Sequence, residues 1–369
     1  MRICVDATSL LLRSAGVKNY VYHWMRAMQR DATEHTITAY PLLDHAGDLN
    51  HEASVLSVWQ TIPRLALLHL MNVRYNPGME YMMSKVDVFH ASNQMRNPPK
   101  RTRLTGTLYD MTWLLMPQNH TAGNVRAEKN FTDKVLSRAD GLIAISNHTR
   151  VDAVNLLGLN PDKIAVIYPG VPQAFFEVTP AQVAHATAKY GLAKPYILFV
   201  GTVEPRKNLD VLLDAYERLP ASLRGEFDLI AAGPIGWAAG STVRRLAAGR
   251  PGVRHLGYVP EVDLPGITAG AKAFVYPSLY EGFGFPVAQS MAAGVPVITS
   301  NVSSLPEVAR DGAILVDPKS EAELHAALVR LLTSPSLQKQ LATKGMEISK
   351  EYTWQVAARK SAEFFSGLP

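Results

Sequence analysis

The sequence predicts an α/β protein of two domains, each a parallel sheet with crossover helices. Three observations lead there. The chain has 369 residues, more than a single hydrophobic core usually serves. Short apolar runs alternate with stretches of helical period through most of it, the pattern of parallel strands joined by helices. The alternation breaks at residues 168–172, YPGVP, where two prolines and a glycine stop regular structure. The expected division is 1–171, 172–350 and a terminal segment 351–369.

In the first domain, residues 3–6, 86–90, 104–108, 141–145 and 164–167 read as strands. In the second, 196–200, 227–231, 253–256, 273–276, 295–299 and 314–316 repeat the pattern more cleanly. Residues 353–365 read as an amphipathic helix, with Trp354, Val356, Ala357, Phe364 and Phe365 able to pack on the second domain or back on the first.

Hydrophobic residues make up 47% of the chain and charged ones 19%, a globular composition rather than a disordered one. The single cysteine, Cys4, excludes an internal disulfide, suits a reducing compartment and reads as a core residue. Asp6 interrupts the N-terminal apolar run before it forms a signal peptide. No apolar stretch reaches the roughly 18–20 residues of a spanning helix. The expectation is a cytoplasmic protein, soluble or peripheral to the membrane. The formal charge of +5 permits contact with phosphates or anionic lipid. No zinc-ligand spacing and no nucleic-acid motif is present in the sequence, so neither a metal nor a nucleic-acid partner is expected.

The richest segment is PSLYEGFGFPVAQSMAAGVPVI, residues 277–298. It sets a carboxylate, Glu281, in a glycine-rich loop ahead of a helix, and an amide, Gln289, just inside that helix. Gly282 and Gly284 let a ligand approach the backbone. Pro286 suits the first helical turn, and the helix start favours an anion. A carboxylate for hydroxyls beside a donor pole for phosphates is what a sugar nucleotide needs.

The second segment is FVGTVEPRKNL, residues 199–209. A strand ends at Gly201 and a polar loop follows, at the strand end where open parallel sheets bind ligands. Arg206 and Lys207 there can clamp a diphosphate, the guanidinium by its fork and the ammonium as a point charge. The plain alternative is a solvated basic pair. Weaker positional cues are Gly16 after the first strand, Tyr109-Asp110 after the third, and Tyr258-Val259, which can wall a base. Asp110 fits either a substrate hydroxyl or the cap of the next turn. His90 reads as structural, and Ser304 with Glu307 as a capping box. Residues 56–85 are dense in Leu, Trp and Met with Arg64, Arg74 and Lys85 interspersed. They read as helices on the first sheet or as a basic surface for membrane or a lipid-linked acceptor, with Arg96, Lys100, Arg101 and Arg103 close by.

Together, GTVEPRKNL and PSLYEGFGFPVAQSMAAGVPVI resemble the retaining glycosyltransferases of family 4 (glycosyl transferases group 1), nearest in motif to bacterial mannosyltransferases. SAGVKNY, ADGLIAISNHTR and SSLPEV echo the family more weakly. The resemblance implies a GT-B architecture: two Rossmann-like domains facing a cleft, with acceptor on the first and donor nucleotide on the second. It also implies a terminal helix crossing back to the first domain. By motif, Arg206 and Lys207 would hold the donor diphosphate, Glu281 the hydroxyls of the transferred sugar, and Gln289 the ribose. Gly282, Phe283, Gly284 and Phe285 would line the phosphate site, Gly16 and Gly201 would border it, and Asp110 would face the reacting sugar.

Two residues depart from the family pattern. Gln289 replaces a second glutamate, which removes a charge from the ribose contact. Tyr109 replaces a histidine that touches donor sugar or phosphate in many members. The implied activity is metal-independent retaining transfer of a hexose to a saccharide or lipid-linked acceptor in surface polysaccharide assembly. GDP-mannose is the first choice of donor and a UDP-sugar the second, with no permanently bound cofactor. The alternatives are a sugar-nucleotide epimerase, a phosphorylase, or a weakly active sugar-nucleotide-binding scaffold.

Overall fold

The protein is described from a computed structural model, over residues 1–369 except 13–15, 42–46, 48, 50–52, 73–76, 93–94 and 237–238. Ser14, Ala15 and Arg74, all in segments singled out above, lie outside the described residues. The chain divides into two compact units, Met1–Gly170 with Trp354–Pro369, and Val171–Thr353.

The first unit holds β1 (Arg2–Asp6), β2 (Thr36–Tyr40), β3 (Val88–Ala91), β4 (Arg103–Leu108), β5 (Gly141–Ala144) and β6 (Ile164–Val166). They form one parallel sheet in the order β2-β1-β3-β4-β5-β6. The interior strands are buried on both faces, as parallel strands covered by helices must be. Five of these strands answer the apolar runs. β2 does not: its sequence TITAY sits at the sheet edge with Thr36 and Thr38 exposed, so it carries no continuous apolar signal. Cys4 is buried in the core beside Phe89.

The second unit holds β7 (Tyr196–Val200), β8 (Asp228–Ala232), β9 (Val253–Gly257), β10 (Ala273–Tyr276), β11 (Val297–Ser300) and β12 (Ala313–Val316). Their parallel order is β12-β11-β10-β7-β8-β9. The chain runs outward from β7 through β8 to β9, then returns to place β10 on the other side of β7. The strand order therefore reverses between β7 and β10. In open α/β sheets a crevice forms at such a reversal, outside the carboxyl ends of the strands. The corresponding reversal in the first unit falls between β1 and β3.

The terminal helix Trp354–Ser366 belongs to the first unit and packs on the helix Gly16–Asp31. Trp24 Nε1 donates to Ser361 Oγ at 2.9 Å, and the His23 and Trp354 rings stack. The tail also closes on β5, where a Cβ at Gly141 would meet the Leu368 side chain at 2.6 Å. Among the described residues no helix is long and apolar enough to cross a membrane.

Candidate functional site

The loops after β7 and β10 meet at the strand reversal of the second unit. After β7 the chain passes Gly201 and Glu204, makes a 3-10 turn over Pro205–Lys207, and enters the helix Leu209–Glu217 through Asn208 in left-handed conformation (φ 57°). After β10 it runs through Pro277 to Gly284 and into the helix Phe285–Ala292. Backbone and side-chain bonds lace the two loops together. Leu279 N donates to Arg206 O at 2.8 Å, and Arg206 NH1 donates to Tyr280 O at 2.7 Å. Asn208 Nδ2 donates to the carbonyls of Pro277 and Pro318.

This lacing brings Arg206, Lys207 and Glu281 into one buried cluster. Lys207 Nζ donates to Glu281 Oε1 at 2.6 Å and to the Tyr276 hydroxyl at 2.6 Å. Arg206 NH1 lies 3.1 Å from Glu281 Oε2, and its NH2 donates to Glu204 Oε1 at 2.7 Å. Ser278 Oγ and the Tyr276 hydroxyl donate to Glu281 Oε1 at 2.6 and 3.0 Å. Two cations thus face two carboxylates in a site largely closed to water.

The electrostatics follow from that packing. Burial alone would raise the Glu281 carboxyl. The charges of Arg206 and Lys207, with hydrogen bonds from Lys207 and Ser278, outweigh it and hold Glu281 at about 2. For Lys207, burial and the neighbouring Arg206 push the ammonium downward against the pull of Glu281 and Glu204. The Tyr276 phenol is driven far up by burial and by Glu281, so it stays a protonated donor.

The backbone of Glu281 is fixed as firmly as its side chain. Its N–H donates to Ser303 Oγ at 3.0 Å, and Ser304 Oγ donates to its carbonyl at 2.9 Å. This corrects the capping-box reading of Ser304 and Glu307: the Ser304 side chain makes no cap bond, because its hydroxyl serves Glu281. Gly284 (φ 98°) is required twice over, since a Cβ there would also meet Leu305 Cδ2 at 2.6 Å.

The other expected positions fall as follows. Gln289 is buried on the Phe285–Ala292 helix. Gly282 leads into Phe283, which packs inward on Phe285 and Tyr352. Gly201 backs on Gly233, where a Cβ would sit 2.0 Å from Gly201 O, so the Gly233-Pro234 turn exists to pass it. Tyr258 and Val259 follow β9, the edge strand two places from β7. Gly16 and Asp110 lie in the first unit. Gly16 begins its helix with open space around it.

Asp110 has a definite local partner. Its Oδ1 accepts from Thr112 N at 2.9 Å and Thr112 Oγ1 at 2.5 Å. His120 Nε2 lies 3.0 Å from the same hydroxyl and its Nδ1 lies 2.8 Å from Asn124 Nδ2. With Asn124 donating, Nε2 carries the proton and the chain runs His120 to Thr112 to Asp110. These residues line a cavity of about 130 Å³ with Tyr109 and Glu128. Tyr109 itself is half-buried, edge-on to Tyr20 at 5.4 Å. His90 is structural: it bridges Thr105 and Thr107 at 2.9 Å each, and burial lowers its pKa to about 3, so it stays neutral.

Sequence reasoning missed Glu204, Tyr276, Ser278 and Ser303 in the second unit, and Asp6 in the first. Asp6 is fully buried at the end of β1 and accepts from the hydroxyls of Thr8 at 2.5 Å and Ser92 at 2.6 Å. Glu204 was legible in principle, as a carboxylate two residues before the basic pair.

The chain is similar to known proteins in sequence and in fold. Residues 186–347 match the family model described as glycosyl transferases group 1, and residues 14–175 that of glycosyltransferase family 4. The O-antigen chain mannosyltransferase B of Escherichia coli is 34% identical over 271 residues, covering 73% of this chain and 71% of that one. The serotype-specific mannosyltransferase WbdA of Escherichia coli is 27% identical over 237 residues, and the match spans only 29% of its length. Two solved structures share the fold across all of this chain. They are Anabaena Alr3699/HepE in complex with UDP and glucose (TM-score 0.71, 16% identity, 99% of that chain) and sucrose-phosphate synthase from Thermosynechococcus elongatus (TM-score 0.73, 18% identity, 99% of that chain).

Proposed function

The chain belongs to the glycosyl transferases group 1 family, with its GT-B type of two-unit α/β architecture, and we propose that it moves a hexose, mannose first, from a nucleoside diphosphate to a saccharide or lipid-linked acceptor in surface polysaccharide assembly. The observation that carries the reading is the Arg206–Lys207–Glu281 cluster at the β7/β10 reversal. Transfer leaves negative charge on the departing diphosphate, and a forked guanidinium and an ammonium fixed in a dry site stabilise that charge. They do so without a metal. Glu281, held charged by the same cations, orients the hydroxyls of the sugar, and Gln289 meets the ribose. Both carboxylates of the cluster, Glu204 and Glu281, are engaged by the cations rather than offered as a nucleophile, and front-face displacement, which needs none, fits that arrangement. The donor sits on the second unit, with Gly201, Tyr258 and Val259 beside the nucleotide and residues 282–285 beside the phosphates. The acceptor sits on the first unit, beside Asp110.

GDP-mannose is the preferred donor because relatives are named as mannosyltransferases. A UDP-sugar is second, since a structural neighbour is described in complex with UDP and glucose. One observation favours a second reading, a weakly active sugar-nucleotide binder: Arg206 and Lys207 already bond Glu204 and Glu281, so a diphosphate must compete with carboxylates. Incubation with GDP-mannose, UDP-glucose and UDP-N-acetylglucosamine over an acceptor panel, scoring nucleotide release and sugar transferred, separates the two. Transfer from GDP-mannose is the expected result. Binding without turnover from any donor supports the second reading, and neither binding nor turnover removes both.

A further inference from the structure

The helix Ala122–Lys134 of the first unit carries a polar stripe that the cluster of the second unit does not use. His120 stands just before the helix, and Thr121 caps it by accepting from Asn124 N at 3.2 Å. Asn124, Glu128 and Phe131 then follow at spacings of four and three, so they share one face. The cavity of about 130 Å³ lies between that face and the end of β4. Tyr109, Asp110 and Trp113 line it from the chain after β4, and Leu108, Phe131 and Leu136 give it an apolar wall.

Three properties decide what this cavity can hold. The first is size. A cavity of about 150 Å³ takes one benzene molecule, so this one takes a single six-membered ring and not a nucleotide. The second is charge. Of the described residues that line it, Asp110 and Glu128 are acidic and none is a lysine or arginine. A phosphate would enter against two carboxylates with no cation to meet it. Among the described residues no group of three acids and histidines is placed to hold a metal ion. The third is hydrogen bonding. Asp110 Oδ1 takes both bonds from Thr112, and Oδ2 has no bond among the described residues. Asn124 turns its amide nitrogen to His120, which leaves its amide oxygen as a further acceptor. An uncharged ring with a C–H face and a rim of hydroxyls answers all three: the face meets the apolar wall and the hydroxyls meet the acceptors.

We propose that this cavity is a subsite for one uncharged pyranose, the terminal sugar of the acceptor, with Asp110 and Glu128 accepting from its hydroxyls and His120 positioning Asp110 through Thr112. The inference rests on the reading of the chain as a glycosyltransferase with its acceptor on the first unit. It narrows that acceptor to one whose terminal sugar carries no phosphate. The test pairs methyl α-mannoside and methyl α-glucoside with mannose 6-phosphate and glucose 6-phosphate. Binding to the full chain, with GDP or UDP present, is read by saturation-transfer NMR, and transfer is read with the best donor of the panel. A neutral glycoside is expected to bind and to accept, and its phosphorylated counterpart to bind at least about tenfold more weakly. Asn124→Ala and Glu128→Ala are each expected to weaken glycoside binding and raise acceptor KM about tenfold, with nucleotide affinity and circular dichroism unchanged. His120→Phe should do the same, and His120→Gln, whose amide can still donate to Thr112, should restore most of the loss. Equal binding of phosphorylated and neutral sugars, no glycoside binding, or variants that bind like the wild type would overturn the inference, and transfer that persists alongside would leave the transferase reading intact. Glycoside binding that Asn124→Ala weakens, without transfer from any donor, would support the pyranose subsite and count against the transferase reading instead.

Discussion

Lys207 Nζ sits 2.6 Å from Glu281 Oε1, in a pocket where the two side chains are only 12% and 9% exposed. The phosphate-binding and sugar-binding residues expected from the two motifs are therefore one charge-balanced unit before any donor arrives. Removing one partner of such a pair strands the other. Glu281→Gln and Lys207→Met are each expected to lower stability by about 3–5 kcal/mol. The double substitution should cost less than the sum of the two, which a urea double-mutant cycle measures directly. Additive losses would mean the pair is not coupled.

Tyr276 joins the pair at its base, accepting from Lys207 and donating to Glu281. Tyr276→Phe keeps the ring, which packs beside Phe199 and Phe274, and deletes only the hydroxyl. A stability loss of about 2 kcal/mol is expected from bonds to charged groups. Transfer should fall in kcat more than in donor KM, because the change misplaces Glu281 rather than removing it. Steady-state kinetics with the best donor of the panel reads the split.

Acid should act on the two units in different windows. Glu281 is held at about 2 against an ordinary 4.5. A depressed carboxylate contributes stability that is complete above the unfolded value and disappears as pH falls from about 4.5 towards 2, here about 3 kcal/mol. His90, lowered from 6.5 to about 3, loses its contribution earlier, as pH falls from about 6.5 and the unfolded state gains a proton the buried ring refuses. The first unit is thus expected to weaken at higher pH than the second. Thermal unfolding followed across pH 7 to 2 (roughly the span of both windows) tests the order. Glu281→Gln should flatten the lower window and leave the upper one.

Much of this was legible in the sequence, and the gaps have physical causes. Apolar runs located eleven strands, because parallel strands covered on both faces must be continuously hydrophobic. β2 escaped because it is an edge strand with exposed threonines. In the second unit the motif residues named the cluster but not its wiring. Tyr276 reads as a strand residue and Ser303 as a loop residue until the fold sets them against Glu281. Lys18 shows the same limit: nothing in SAGVKNY marks it as a core residue, yet its Nζ donates to the carbonyls of Leu12 and Ala53, and burial lowers it to about 8.

Gly284 is the backbone hinge of the site. Gly284→Ala forces a side chain into a left-handed conformation and against Leu305. A loss of about 1–3 kcal/mol is expected, with weaker nucleotide binding because the start of the Phe285–Ala292 helix must shift. An alanine variant as stable as the wild type would show that the loop relaxes freely.

The most direct measurement is calorimetric titration of GDP and UDP into the wild-type chain and into Arg206→Ala with Lys207→Ala, with folding checked by circular dichroism. If the cluster seats the diphosphate, one nucleotide binds the wild type, and the double variant binds it about a hundredfold more weakly or worse, as the loss of two charge-assisted contacts requires. Unchanged affinity in a folded double variant would contradict the assignment and return the cluster to a purely structural role.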